Sequence, residues 1–185
     1  MVLKCQFRLR HVDVHYAAAL FRYLKEFAVK FRKYTTLTYM DDKNKCKIGE
    51  PGVPVAAVVR SRSTIVGQDQ IFTVSDHDFT KLWITPSVTM LVEIPENIYD
   101  SWYQGQVYVE LKDPIFQASS PMRHIAELNY LLLKEGIQNL ILLLYTDGRP
   151  DHCLTFIMVQ IALICLFLSN DLHILIAVRT APYHS

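Results

Sequence analysis

The sequence lacks most of the patterns that announce a function on sight. Only six of its 185 residues are glycine, and none belongs to a G-x-G-x-x-G turn, so the usual dinucleotide-binding loop is excluded. There is no G-x-S-x-G and hence no nucleophile elbow. The four cysteines, Cys5, Cys46, Cys153 and Cys165, form no C-x-x-C pair and no zinc-like grouping with the seven histidines. Cys153 and Cys165 sit in an apolar run, where a free cysteine behaves as a small hydrophobe, and a reduced, intracellular protein is expected. No apolar h-region opens the chain, so no secretory signal is expected. The run Cys153 to Leu168 is too short for the roughly 20 residues that cross a bilayer, and Gln160 interrupts it. It is expected to be a helix buried against a sheet, with no membrane partner.

What is present describes a globular chain of one domain, 51% hydrophobic and 20% charged. A net charge of +1 conceals an asymmetry. Residues 1–33 hold eight basic side chains against Asp13 and Glu26, whereas the remainder is acidic. Residues 1–33 are therefore set apart as a basic N-terminal helical arm and residues 34–185 as the core. Such an arm suits a polyanion or simply presents a solvated helix face, and both readings stay open.

Apolar residues at Ala17, Leu20, Phe21, Leu24, Phe27, Ala28 and Phe31 predict an amphipathic helix over 15–33, with Asp13 as its cap. Tyr34 to Met40 reads as a strand ending on Asp41 and Asp42. A loop at 45–52 leads into expected strands at 53–59, 62–66, 71–74, 88–94 and 106–111, a meander. A helix over 121–135 ends near Gly136, followed by a strand at 140–145, a helix at 152–169 and a strand at 172–178. Continuous apolar runs separated by helices mark a parallel sheet covered on both faces. The order predicts a mixed α/β sheet in which the first and fourth long strands are neighbours, bringing Asp41 or Asp42 close to Asp147.

Two ionised carboxylates about 4 Å apart repel by roughly 4 kcal/mol at an effective dielectric of 20. A fold keeps them together by protonating one or by placing a divalent cation between them. Oxygen ligands favour Mg2+ or Mn2+, the ions that clamp the attacking and leaving oxygens of phosphoryl transfer. The plainer alternative makes Asp147 a cap of the following helix and pairs Asp42 with Lys43. "SDHDFTK" (75–81) is expected to be a strand-end turn, Glu50 in "GEPG" an exposed turn residue, and Cys5 near His11 has no structural context.

Three segments carry a family resemblance. "YTDGRPDH" (145–152) resembles the D-N-x-P-x-H block of DDE/DDD transposases of the Tc1/mariner and IS630-like type. "YMDDKNK" (39–45) resembles their first catalytic strand, and "RTAPYHS" (179–185) the approach to their third motif, N-P-x-E. The longer pattern, including "SVTMLVEIPE", "GQVYVELKD" and "SSPMRHIAELN", is similar to transposon-derived animal proteins over nearly the whole chain. The resemblance implies a ribonuclease H-like mixed five-stranded sheet with helices on both faces, preceded by the amphipathic helix. It implies Asp41 and Asp147 as catalytic metal ligands, with Asp42 as a further candidate, Mg2+ or Mn2+ as the cofactor, and DNA as the partner. His152 matches the histidine of the block and is expected to brace the turn. Arg22, Lys25, Lys30 and Lys33 are the candidate DNA contacts. The third acid is expected just past Ser185, so the core is expected to be incomplete at its C-terminus and the chain inert as it stands. The alternative is a non-catalytic DNA- or protein-interaction module of the same descent. Homo-oligomerisation stays open, and a DNA-acting role implies a nuclear location in a eukaryote.

Overall fold

Helix α1 (Val14–Lys30) forms where the apolar period places it and buries Leu24 and Ala28. In the computed structural model, which describes residues 13–42, 46–47, 83–113, 116, 119–147 and 150–180, Asp13 holds the N-cap position without a side-chain capping bond. The helix stops at Lys30, short of the expected Lys33, because the chain tightens into a 3-10 turn over Arg32–Tyr34. The hydroxyl of Thr35 donates to the carbonyl of Phe31 at 2.9 Å and so satisfies one helix-end acceptor. The strands expected between 53 and 74, most of the loop at 45–52 and the SDHDFTK turn lie outside the described residues.

The turn feeds β1 (Thr35–Asp42), a strand of β-branched and aromatic residues buried along almost all of its length. The other strands are β2 (Cys46–Lys47), β3 (Trp83–Val92), β4 (Gly105–Lys112), β5 (Ile141–Thr146) and β6 (Ile174–Arg179). Strand β1 is central: it pairs antiparallel with β3 and parallel with β5. Strand β4 continues the antiparallel side beyond β3, β6 continues the parallel side beyond β5, and the short β2 pairs with the start of β3. The five long strands thus run in the order β4-β3-β1-β5-β6. That is the ribonuclease H-like mixed sheet, with the expected first and fourth long strands side by side. Strand β3 begins earlier than the expected Val88, because its opening residues pair with β2 and the end of β4.

Helix α2 (Pro121–Lys134) starts as its sequence dictates: Ser120 accepts a hydrogen bond from the Arg123 amide, and Pro121 takes the first turn, where no N–H is needed. It ends at Gly136, whose positive φ of 64° continues the chain out of the helix. Helix α3 (Ile157–Ser169) begins five residues after the expected His152, because Pro150–His152 form a separate 3-10 turn. Its expected burial is one-sided. Val159, Ala162 and Leu166 are buried, while Ile157, Ile161, Ile164 and Leu168 are exposed, as is Cys165.

Side-chain alternation splits the core into two layers. On one face Leu37, Ile141, Leu143 and Val178 pack under Leu24 and Ala28 of α1, with Trp102 closing the edge. On the other, Met40, Leu142 and Leu144 pack under Ile125, Leu128 and Leu132 of α2 and Ala162 and Leu166 of α3. At about 25 cal/mol per Å² both apolar layers favour folding, and each fixes the register of the strands between them.

Candidate functional site

The parallel pairing of β1 with β5 ends at Met40 opposite Thr146, and the next residues along the two strands are Asp41 and Asp147. Neighbouring strands are about 4.8 Å apart, so the two acids stand side by side at the carboxyl ends of the central strands. Both line an open cleft of about 540 Å³ on the α1 face, together with Phe21, Tyr39, Tyr103 and Tyr145. Phe21 stacks on Tyr145 with ring centroids 4.1 Å apart, and Tyr145 meets Tyr39 edge-on at 5.7 Å. Burial pushes both tyrosine phenols up, which keeps them neutral. Thr180 pins the tip of β5: its amide donates to the Thr146 carbonyl at 2.8 Å and its hydroxyl to the Asp147 carbonyl at 3.1 Å. Asp147 is not the N-cap of α3, a position held by Phe156.

Asp42 is not part of this cleft. Adjacent residues of a strand point to opposite faces, so Asp42 enters the layer beneath α2 while Asp41 faces α1. There its Oδ2 lies 3.1 Å from His124 Nε2 and accepts a hydrogen bond from Ser119 at 3.3 Å. Its Oδ1 lies 3.8 Å from the ammonium of Lys112, at the end of β4. Burial alone works to raise the Asp42 carboxyl, but the hydrogen bond and charge of His124, the Ser87 hydroxyl and the Lys112 charge outweigh it and hold the group well below the usual carboxylate range.

Lys112 is 1% exposed, so its charge is nearly sealed from water. Its Nζ is 3.2 Å from Glu127 Oε2 and 2.7 Å from His124 Nδ1. The second oxygen of Glu127 receives Arg123 at 2.6 Å. Burial opposes ionisation of Glu127, yet Arg123 and Lys112 keep its carboxyl low; burial and the neighbouring Glu127 push Glu110 up. The carboxylates of Glu127 and Asp42 thus flank Lys112 and His124 on either side, the pairing that keeping ions buried requires.

His152 belongs to this second cluster rather than to the cleft. Its ring lies 4.4 Å from that of His124, centroid to centroid, and burial, followed by the charge of His124, pulls it down to about 4. It is therefore a neutral imidazole at physiological pH.

The four candidate DNA contacts lie on α1 and the turn after it. Arg22 is exposed and pairs with Glu26 at 2.9 Å; Lys25 lies 4.4 Å from the centre of the Phe21 ring, and burial pulls its ammonium down. Lys30 and Lys33 are exposed at the far end of the helix. Phe21 lines the acid cleft and also a second hollow of about 320 Å³ with Arg22 and Lys25. Arg22 and Lys25 therefore border the cleft on which Asp41 and Asp147 open, whereas Lys30 and Lys33 lie by Phe31 and Tyr34 at the start of β1, away from it.

Lys112, Ser119, His124 and Glu127 were not signalled as site residues by the sequence. His124 carries a usable clue, since it shares the stripe of Leu128 and Leu131 on α2 and so must be buried. Lys112 carries none.

No protein-family model matches the sequence, and no curated protein matches it. Among solved structures, all of this chain aligns with the Mos1 mariner paired end complex with Mn at 15% identity and a TM-score of 0.44, covering 48% of that chain. It aligns with the Mos1 strand transfer complex at 12% identity and 0.41, covering 47%, and with a pre-cleavage Mos1 transpososome at 12% and 0.38, covering 48%. The chain spans about half the length of the proteins in those structures.

Proposed function

We propose that the chain is a transposase-derived domain of the DNA strand-transfer or nuclease class, whose working site is the cleft at the tips of β1 and β5. One observation carries the reading: the parallel pairing that sets Asp41 beside Asp147 in an open cleft. Two carboxylates side by side repel, and a hard divalent cation between them turns that cost into binding. The donor set fits Mg2+ or Mn2+, because both groups offer oxygen. When bound, the ion supplies charge to stabilise the developing oxyanions of phosphodiester cleavage. Asp41 and Asp147 hold it, Thr180 keeps the β5 tip in place, and the aromatic wall limits water around the acids. Asp42 takes no part at the cleft and belongs to the buried cluster. Arg22, Lys25, Lys30 and Lys33 neutralise phosphates, a sequence-blind, salt-dependent contribution. A DNA-acting role places the protein in the nucleus of a eukaryotic cell.

The test is a Mn2+ titration of residues 1–185 followed by thermal melting and by the loss of free-Mn2+ paramagnetic signal. Saturable binding with a rise in melting temperature is expected, reduced at least tenfold in affinity by Asp41→Asn or Asp147→Asn. If the wild-type chain shows no ion-dependent stabilisation, the cleft is no metal site and the non-catalytic interaction module takes its place.

A further inference from the structure

The hydrogen bonds of the Asp42 cluster leave two buried atoms over. Asp42 Oδ1 and His152 Nε2 are sealed from solvent, and neither has a hydrogen-bond partner among the described residues. His152 is 6% exposed, and a buried polar atom left without a partner is costly to keep. Lys112 reaches Asp42 Oδ1 only at 3.8 Å. One ligand atom from each of Asp42, His124 and His152 can be chosen so that all three lie within 4.8 Å of one another. Two ligand atoms on one tetrahedral zinc-sized ion at 2.0–2.2 Å are about 3.4 Å apart, so a gap at the 4.8 Å limit needs to close by roughly 1.4 Å, a side-chain adjustment that ion binding has to draw in. Beside the two imidazoles is a cavity of about 20 Å³, enough for a single water. It provides a fourth, non-protein position.

We propose that Asp42, His124 and His152 form a site for a transition-metal ion of the Zn2+ class, distinct from the strand-tip carboxylates. Two imidazoles and one carboxylate suit zinc, cobalt or nickel and are a poor set for Mg2+, which prefers oxygen alone and keeps its waters. Lys112 is the internal cation of the empty site. Its Nζ is within hydrogen-bonding distance of both His124 nitrogens, 2.7 Å from Nδ1 and 3.0 Å from Nε2, where an arriving ion competes with it. The geometry also provides an alternative partner, because Glu127 Oε2 lies 3.2 Å from the ammonium and can hold it. The ion ties together three segments, the end of β1 through Asp42, α2 through His124 and the 150–152 turn through His152. Its binding energy therefore adds to the stability of the fold.

Co2+ is the probe, since Zn2+ is spectroscopically silent. Residues 1–185 freed of metal with EDTA are titrated with Co2+ while visible absorption and melting temperature are recorded. A ligand-field band and a rise in melting temperature are expected, both lost in His152→Gln and both kept in Asp147→Asn. A wild-type chain without the band, or a band that persists in His152→Gln, overturns the proposal. Should His152→Gln fail to fold, imidazole proton resonances of the wild-type chain decide. Zn2+ must shift the signals of two histidines in slow or intermediate exchange, and unshifted signals sink the site. Because Asp147→Asn retains the band, this outcome is independent of the Mn2+ experiment on the cleft.

Discussion

His152 shows how one buried side chain makes stability depend on pH. Its folded value of about 4 lies below the ordinary 6.5. As pH falls below 6.5 the unfolded chain takes up a proton that the folded chain refuses, so stability is lost between about pH 6.5 and 4 and is flat below. The loss approaches about 3 kcal/mol in full, of which about 2 appear by pH 5. Urea unfolding in EDTA at pH 7 and pH 5 measures it, and His152→Gln is expected to remove this part of the difference. Asp42 acts in another window. Its depressed carboxyl contributes stability that is fully present above about pH 4 and is lost only as pH falls further. The acids at the strand tips were legible in the sequence because each ends an apolar run, where charge is placed by the fold and not by chance. Which face each acid takes was not legible, since that depends on a one-residue parity.

At the scale of elements, β4 reverses the expected pattern. Its apolar Val107, Val109 and Leu111 are exposed, and Lys112, in the opposite phase, is buried. A reading that sends apolar residues inward puts Lys112 in water, and only the charge network under α2 decides otherwise. The sequence predicts helix over residues 152–156 for a related reason. The apolar composition is continuous through them, while the break comes from the 3-10 turn at Pro150–His152. The helices α1 and α2 were legible because their periodicity and, for α2, the Ser-Pro start are local signals. Gly105 gives the sharpest test of the β3–β4 pairing. Its φ is 142°, and an added Cβ lies 1.9 Å from the Leu91 carbonyl oxygen, a backbone atom that cannot swing aside. Gly105→Ala is expected to destabilise the chain by at least about 2 kcal/mol, read as a lower midpoint of urea unfolding, whereas Gly136→Ala meets no clash and loses only the about 1 kcal/mol of a left-handed alanine.

At the scale of the molecule, the two faces of the sheet are unequal. One carries α1 and the cleft, the other α2, α3 and the buried charges. Among the described residues no helix is long and apolar enough to cross a membrane, yet the outward side of α3 is a row of Ile157, Ile161, Ile164 and Leu168, with Ile164 57% exposed. A row of this kind binds apolar probes. Ile161→Lys combined with Ile164→Glu is expected to lower the fluorescence of bound anilinonaphthalene sulfonate severalfold and to reduce light scattering, while the melting temperature changes little. Dye fluorescence that stays unchanged places the apolar surface elsewhere.

The single peptide unit between Asp41 and Asp42 has a consequence for the way the two sites communicate. One strand is the shared wall of two rooms, so whatever tightens the packing on one side sets how far the carboxylate on the other can drift. An ion seated among the histidines would therefore be felt in the cleft as a stiffer Asp41, transmitted across one peptide link rather than through a chain of neighbours.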